Sequence, residues 1–373
     1  MKKLHLLLLF FLALNWCYAQ EKKQEPKTLE PGASAPDFSL KGIDGKMHSL
    51  STYADADVLA ILFTCNHCPT AQAYEERVID LVEDYSDKSF QLVAISSNAP
   101  NAISLSELGY SDLSDTYEEM QQRAKEMSYN FPYLYDGDAQ EAALAYGPVA
   151  TPHLFVFDKA RKLRYVGRLD ASEKPGTANA EDARAAIDAV LAGKEVPNPT
   201  TKTFGCSIKW AWKDEWVQKQ EEAWAQEEVS LEPISADGIR QLIANSSDKL
   251  RLINVWATWC GPCVMEFPEF IEIDRMYRGR DFEFISISAD KPDKEDKVLS
   301  FLRKKEASNQ NYLFNMDDKY ALIEAIDPNW QGALPYTILV EPGGTIVYSQ
   351  QGTIDPQEIK KTIVENQYIG RYY

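Results

Sequence analysis

The sequence predicts an α/β chain built from two modules with the same element order. Two Cys-x-x-Cys pairs carry this expectation: Cys65-Asn66-His67-Cys68 and Cys260-Gly261-Pro262-Cys263. Each directly follows an apolar strand-like run and directly precedes a helix-like run, and a further strand comes after each helix. The length of 373 residues accommodates two domains of roughly 150 residues each, and 45% hydrophobic residues suffice for two ordinary cores.

In chain order, Lys2 and Lys3, the apolar stretch 6–14, and Cys17-Tyr18-Ala19 before Gln20 have the charged, hydrophobic and small-residue parts of a secretory signal over residues 1–19. The apolar run is shorter than the roughly 20 residues a spanning helix needs, and no later segment approaches that length. The expectation is therefore a periplasmic or otherwise extracytoplasmic protein with no stable membrane insertion. Cys17 is an alternative lipidation site, but bulky Trp16 stands where a small residue should precede it. Glu/Lys-rich residues 20–29 read as a flexible tether.

The first domain, residues 30–209, opens with a hairpin around Asp44-Gly45-Lys46. Residues 58–63 read as a buried strand before Cys65, residues 71–85 as a helix with Tyr74, Val78, Leu81 and Val82 on one face, and residues 90–96 as the next strand. A charged helix over 116–128, an extended segment at 131–135, a helix over 139–146, a hairpin spanning 149–167 and an Ala-rich helix over 180–192 follow. Trp-, Glu- and Gln-rich residues 210–229 read as a linker helix. The second domain, residues 230–373, repeats the order with a helix at 237–245, a strand at 250–256, the Cys260 site, a helix at 264–278 and a strand at 282–288. A helix at 294–305, the segment 333–340, a Pro342-Gly343-Gly344 turn and a helix at 356–365 complete it.

A cysteine at a helix N-terminus meets unpaired backbone N–H groups and the positive end of the helix dipole, so its thiolate is favoured and nucleophilic. A second cysteine three residues on can resolve the mixed disulfide. Both pairs thus read as redox sites with the first cysteine at the helix start. Structural stapling is the weaker account, since so short a ring constrains the unfolded chain little. Neither pair is followed by His, so the Cys-x-x-Cys-His haem-attachment pattern is absent. The formal charge of −18 becomes −20 once Lys2 and Lys3 are removed, which argues against nucleic acid as a partner. Expected partners are protein thiols and disulfides and an upstream thiol reductant, which a membrane protein could supply. No cofactor beyond the redox-active disulfides is expected.

The run Asn254-Val255-Trp256-Ala257-Thr258-Trp259-Cys260-Gly261-Pro262-Cys263-Val264-Met265-Glu266-Phe267-Pro268, with Leu334-Pro335 downstream, resembles the TlpA/ResA branch of the thioredoxin superfamily from residue 230 to about residue 368. Residues 31–210 resemble the peroxiredoxin-like redoxins of the AhpC/TSA group, through Thr151-Pro152, Gly167-Arg168-Leu169-Asp170 and Gly205-Cys206-Ser207-Ile208-Lys209-Trp210. Together these resemblances imply two tandem thioredoxin-like folds, each a central mixed sheet flanked by helices, and a thiol:disulfide oxidoreductase. They also imply substrate contacts at Leu334, Pro335, Thr151 and Pro152, with Pro335 cis and facing the cysteines. True peroxiredoxins carry Thr or Ser three residues before the peroxidatic cysteine. Here that residue is Leu62, so thiol-dependent peroxide reduction at Cys65 is the rival function.

In the second domain Cys260 is the expected exposed nucleophile and Cys263 the resolver. Thioredoxin has a buried Asp where this chain has Asn254, which cannot titrate, so Glu266, one turn beyond Cys263, is the candidate for proton handling. The alternative is an exposed first-turn acid favoured by the helix dipole. Trp256 and Trp259 read as packing residues, Trp259 also shielding the disulfide, and Pro268 as a helix bend. In the first domain Cys65 is the expected nucleophile and Cys68 its resolver, with a cationic His67 favouring the Cys65 thiolate and raising the reduction potential. Electrons then pass from the Cys260 pair to the Cys65 pair, or the two serve separate partners. The non-enzymatic rival is a copper or zinc site formed by Cys65, His67, Cys68 and His153. Cys206 is a relay, a buried apolar residue, or the partner of another chain.

Overall fold

A computed structural model describes residues 26–372; the signal segment 1–19, Cys17 and the start of the tether lie outside the described residues. The first module contains β1 (Leu40–Gly42), β2 (Met47–His48), β3 (Val58–Thr64), α1 (Pro69–Asp84), β4 (Phe90–Ser96), α2 (Tyr117–Glu126), β5 (Tyr133–Tyr135) and α3 (Glu141–Tyr146). It continues with β6 (Ala150–Thr151), β7 (His153–Phe157), β8 (Leu163–Gly167), α4 (Glu181–Leu191) and β9 (Cys206–Ser207). Helix α5 (Asp214–Ala225) precedes the second module. That module holds β10 (Glu232–Ile234), α6 (Ala236–Ala244), β11 (Leu250–Trp256), α7 (Gly261–Tyr277), β12 (Phe282–Ser288), α8 (Glu295–Lys304), β13 (Gln310–Phe314), α9 (Lys319–Ile326), β14 (Tyr336–Val340), β15 (Ile346–Gln351) and α10 (Pro356–Glu365).

Each module is built on one mixed sheet. The strand orders are β2-β1-β5-β4-β3-β7-β8 and β10-β13-β12-β11-β14-β15. The strand before each cysteine pair is central, parallel to the following strand and antiparallel to the strand after the downstream proline: β3 lies between β4 and β7, and β11 between β12 and β14. Alternate residues of these strands feed opposite faces. Val58, Ala60 and Leu62 pack under α1 with Tyr74, Val78 and Leu81, while Leu59, Ile61 and Phe63 meet Phe155 and Phe157 on the other side.

Several assignments differ from the sequence reading. Thr28 and Leu29, at the end of the expected tether, are tied down: the Thr28 hydroxyl donates to the Gly147 carbonyl at 2.6 Å and the Leu29 N–H to Tyr146 at 3.0 Å. Trp210, at the start of the expected linker, is buried in the first module's core and stacks on Trp212. The helical stretch that follows is a 3-10 turn over Ala211–Lys213 leading into α5.

The modules are joined through residues 103–112. Ile103 and Leu108 enter the second module's core. The Tyr277 hydroxyl donates to the Ser111 carbonyl at 2.8 Å, and Arg371 pairs with the buried Asp112 at 2.6 Å. Within the first module the Gly167-Arg168-Leu169-Asp170 step ends in a buried carboxylate. Asp170 accepts from the Tyr74 hydroxyl, the Arg77 guanidinium and the Ser172 and Ala180 N–H groups, tying α1 to the start of α4. Asp170→Ala leaves the Arg77 charge buried and unpaired, so it lowers the unfolding free energy by about 3–5 kcal/mol. Urea denaturation checks this, and a loss within the range of a surface substitution would show the ion pair to be dispensable.

Candidate redox sites

In the second module Cys260 is the N-cap of α7, and Cys263 lies in the first helical turn. Pro262 takes the second helical position, where its missing N–H costs nothing. The two cysteines form a disulfide, and the Cys263 N–H points at the Cys260 sulfur at 3.3 Å. Asp290, at the end of β12, holds the preceding loop by accepting from the Thr258 N–H at 2.7 Å and hydroxyl at 2.6 Å. The Leu334-Pro335 bond is cis.

Cys260 is not exposed as expected: it retains 6% exposure, against 1% for Cys263. Trp259 is not a packing residue, being 66% exposed, whereas Trp256 is buried against Phe267 and Phe301. Trp259, Phe314, Trp330 and Leu334 instead line a cavity of about 150 Å³ beside the cysteines.

Glu266 is buried, which removes the exposed-acid reading. Its Oε2 accepts the Ile354 N–H at 3.0 Å, and its Oε1 is buried without a hydrogen-bond partner among the described residues. Burial pushes its pKa up to about 7, against smaller opposing effects from the Ile354 N–H and the Asn254 side chain. Asn254 itself is buried and donates to the Thr337 hydroxyl at 3.0 Å.

The first module is arranged differently. Its helix α1 begins at Pro69, so Cys68 rather than Cys65 is the N-cap, its sulfur accepting the Ala71 N–H at 3.4 Å. Cys65 and Cys68 are not bonded to each other: Cys68 is joined to Cys206, and Cys65 is a buried free thiol. Cys206 arrives on β9, whose register sets it opposite Thr151 of β6. The approach is so close that a Cβ on Gly205 would stand 2.1 Å from the Thr151 carbonyl oxygen, and Gly205 has φ +131°, a conformation other residues rarely adopt. The Thr151-Pro152 bond is cis. Thr151 was expected to contact substrate, but it is fully buried and its edge is already paired by Cys206.

Asp115, which sequence reasoning missed, organises the loop between the cysteines. It is fully buried and accepts the Asn66 N–H at 2.8 Å, the His67 N–H at 3.2 Å, the Asn98 amide at 2.8 Å and His67 Nδ1 at 2.8 Å. Burial alone would favour neutral imidazole, but Asp115 and the adjacent Cys65 sulfur hold the His67 pKa well above its ordinary value. His67 in turn keeps Asp115 below the usual carboxylate range despite burial. The nearest sequence signal was the Thr116-x-x-Glu119 capping box immediately after it.

The rival metal set of Cys65, His67, Cys68 and His153 is not assembled. Cys68 is bonded to Cys206, while His153 is kept neutral by burial and accepts the Val149 N–H at 3.2 Å. Cys65, His67 and Asp115 do bring ligand atoms within 4.8 Å of one another. Both Asp115 oxygens are occupied by hydrogen bonds from Asn66, His67 and Asn98.

The modules meet at the end of α7 that does not carry Cys260. Residues 109–111 of the first module dock at the C-terminal end of α7, where a Cβ on Gly109 would stand 2.9 Å from the Met276 carbonyl oxygen. Cys260 caps the other end. The 17 residues of α7 put about 25 Å between them at 1.5 Å per residue.

Two outcomes follow from this geometry. Between pH 4.5 and about 7 the folded chain keeps the Glu266 proton that the unfolded chain has lost, so Glu266 makes stability fall as pH rises through that window. Denaturation of Glu266→Gln beside wild type should show the difference moving in the variant's favour across that window and levelling off above it; a constant difference would mean an ordinary carboxyl. Gly205→Ala should separate β9 from Thr151 and remove the Cys68–Cys206 linkage from non-reducing peptide maps.

Comparison with known proteins agrees with this architecture. The AhpC/TSA family matches residues 31–166, and the Redoxin family matches residues 214–367. The thiol-disulfide oxidoreductase ResA of Geobacillus kaustophilus is 25% identical over 109 residues, 29% of this chain and 58% of that protein. The thiol:disulfide interchange protein HelX of Rhodobacter capsulatus is 26% identical over 142 residues, 36% of this chain and 70% of that protein. The chain thus spans less than two thirds of the length of the ResA relative. Among solved structures, a hypothetical protein of Sinorhizobium meliloti 1021, SMc02350, is 34% identical and covers 50% of this chain and 98% of its own, with a TM-score of 0.44. With the two family matches together spanning most of its length, the chain belongs to the thioredoxin superfamily, as an AhpC/TSA module followed by a Redoxin module.

Proposed function

We propose that this chain is an extracytoplasmic thiol:disulfide oxidoreductase whose second module reduces protein disulfides. The observation that carries the reading is the Cys260–Cys263 disulfide at the start of α7, with cis Pro335 nearby and a buried carboxyl, Glu266, one turn further along the helix. Export is supported by the charged, apolar and small-residue pattern of residues 1–19.

In the reduced enzyme the Cys260 thiolate, favoured by the helix N-terminus, attacks one sulfur of a substrate disulfide. A Cys260–substrate bond forms as the substrate S–S bond breaks, and the leaving substrate sulfur takes up a proton. Cys263 passes its proton to the Glu266 carboxylate, whose raised pKa suits it to a base near neutral pH. The Cys263 sulfur then attacks Cys260 and releases the second substrate thiol. Two electrons have moved to the substrate, and Cys260–Cys263 is oxidised until an upstream thiol reductant restores it. Cys260 is the more accessible sulfur of the pair, as the attacking residue must be. The exposed Trp259 and the cavity it shares with Leu334 give an apolar segment of the substrate a place beside the reacting sulfur.

Peroxide reduction at Cys65 has less support. Leu62 offers no hydroxyl to orient a peroxide, and Cys65 is 3% exposed.

Cys260→Ser should abolish reduction of a protein disulfide such as that of insulin in the presence of a small dithiol. Cys263→Ser should instead accumulate a mixed disulfide at Cys260, visible by non-reducing mass spectrometry. Insulin reduction that survives Cys260→Ser would overturn the assignment.

A further inference from the structure

Three cysteine sulfurs of the first module converge on one residue. Cys65 Sγ lies 3.3 Å from the Thr151 hydroxyl, Cys68 Sγ lies 3.4 Å from the Thr151 carbonyl oxygen, and Cys206 is the strand partner of Thr151. Their accessibility is unequal. Cys68 is fully buried and Cys65 nearly so, whereas Cys206 is partly exposed. A protein partner therefore meets Cys206 first. The second module leaves the corresponding edge free: no strand pairs with Leu334 among the described residues, while β9 covers Thr151.

We propose that the first module is an internal three-cysteine exchanger, in which Cys65 attacks the Cys68 sulfur of the Cys68–Cys206 disulfide and Cys206 is released as the thiol that faces a protein partner. The Cys65–Cys68 bond forms as the Cys68–Cys206 bond breaks, and the proton lost by Cys65 ends on Cys206. One disulfide and one thiol stand on each side of the step, so no outside oxidant or reductant is consumed. The buried His67–Asp115 pair sets an imidazolium beside Cys65, where it offsets the negative charge on the attacking sulfur. The reverse step stores the module in its closed form, with Cys206 seated on β6. Cys206 is thus a reacting residue and β9 is the module's own occupant of the edge a partner would use.

The proposal rests on the reading of this module as a thiol–disulfide site, but its test needs no substrate and is independent of Cys260. The oxidised full chain is incubated under native conditions with a maleimide, then denatured, digested and mapped without reduction. A Cys65–Cys68 bond lies within a short loop, whereas Cys68–Cys206 joins two distant segments, so the two isomers separate by mass. Wild type should accumulate maleimide on Cys206 while Cys65 and Cys68 become linked. In Cys65→Ser, and equally in Cys65→Ala, labelling of Cys206 should slow by roughly tenfold or more, because the attacking thiolate is gone. The wild-type arm requires no variant to fold. If it instead carries the label on Cys65 with Cys68–Cys206 intact, or if both variants label Cys206 at the wild-type rate, the exchange does not occur.

Discussion

The position of one proline relative to each cysteine pair decides how the two sites differ. Proline suits the first turn of a helix because it has no N–H to leave unsatisfied, and it disfavours helical backbone in the residue before it. Pro69 follows Cys68 directly, so Cys68 is held extended at φ −72°, ψ 121°, and the helix cannot begin earlier. Pro262 stands inside its pair, preceded by a glycine with no Cβ to clash, so the helix starts at Gly261 and Cys260 becomes the cap. One spacing of cysteines therefore gives two registers. In the second module both sulfurs share the first helical turn and bond; in the first, Cys65 is left in an irregular loop and Cys68 turns toward another strand.

That irregular loop must have its backbone donors satisfied while buried. Asp115 meets the requirement from outside the element, accepting two loop N–H groups as well as the Asn98 amide and the His67 ring. A buried carboxylate needs a counter-charge, and His67 supplies it, so the histidine between the cysteines is an electrostatic partner before it is anything else. In the second module the loop has the same length, but its anchor sits before the cysteine pair rather than between the cysteines: Asp290 fixes Thr258 two residues before Cys260.

The degree to which each site was legible in the sequence follows from these distances along the chain. The second site depends on local rules: a strand, a cap, a spacing of three and an acid one turn on. Its cysteine bond and the burial of Glu266 agree with that reading, while the exposure of Trp259 does not, since tryptophan alone does not say which face it takes. The first site depends on contacts 48 and 138 residues away, at Asp115 and Cys206, which no periodicity encodes. The fold shows the same division. Long periodic elements such as β3, α1, β11 and α7 were evident, whereas β10, α9 and the two-residue strands β6 and β9 have too few residues for a pattern and exist through their neighbours.

The modules join through the same stretch of chain that supplies the first site's buried carboxylate. The segment that supplies Asp115 begins, a few residues earlier, with Gly109, Ser111 and Asp112, and these contact α7, Arg280 and Arg371 of the second module. Asp112 is fully buried in that contact, so separating the modules would strand its charge unless Arg371 moved with it. The docking end of α7 is opposite the end that carries Cys260. Disulfide exchange requires sulfurs in contact, and in this structure each disulfide closes within its own module. The tandem arrangement thus joins two thiol sites in one molecule, each closed by a disulfide of its own module.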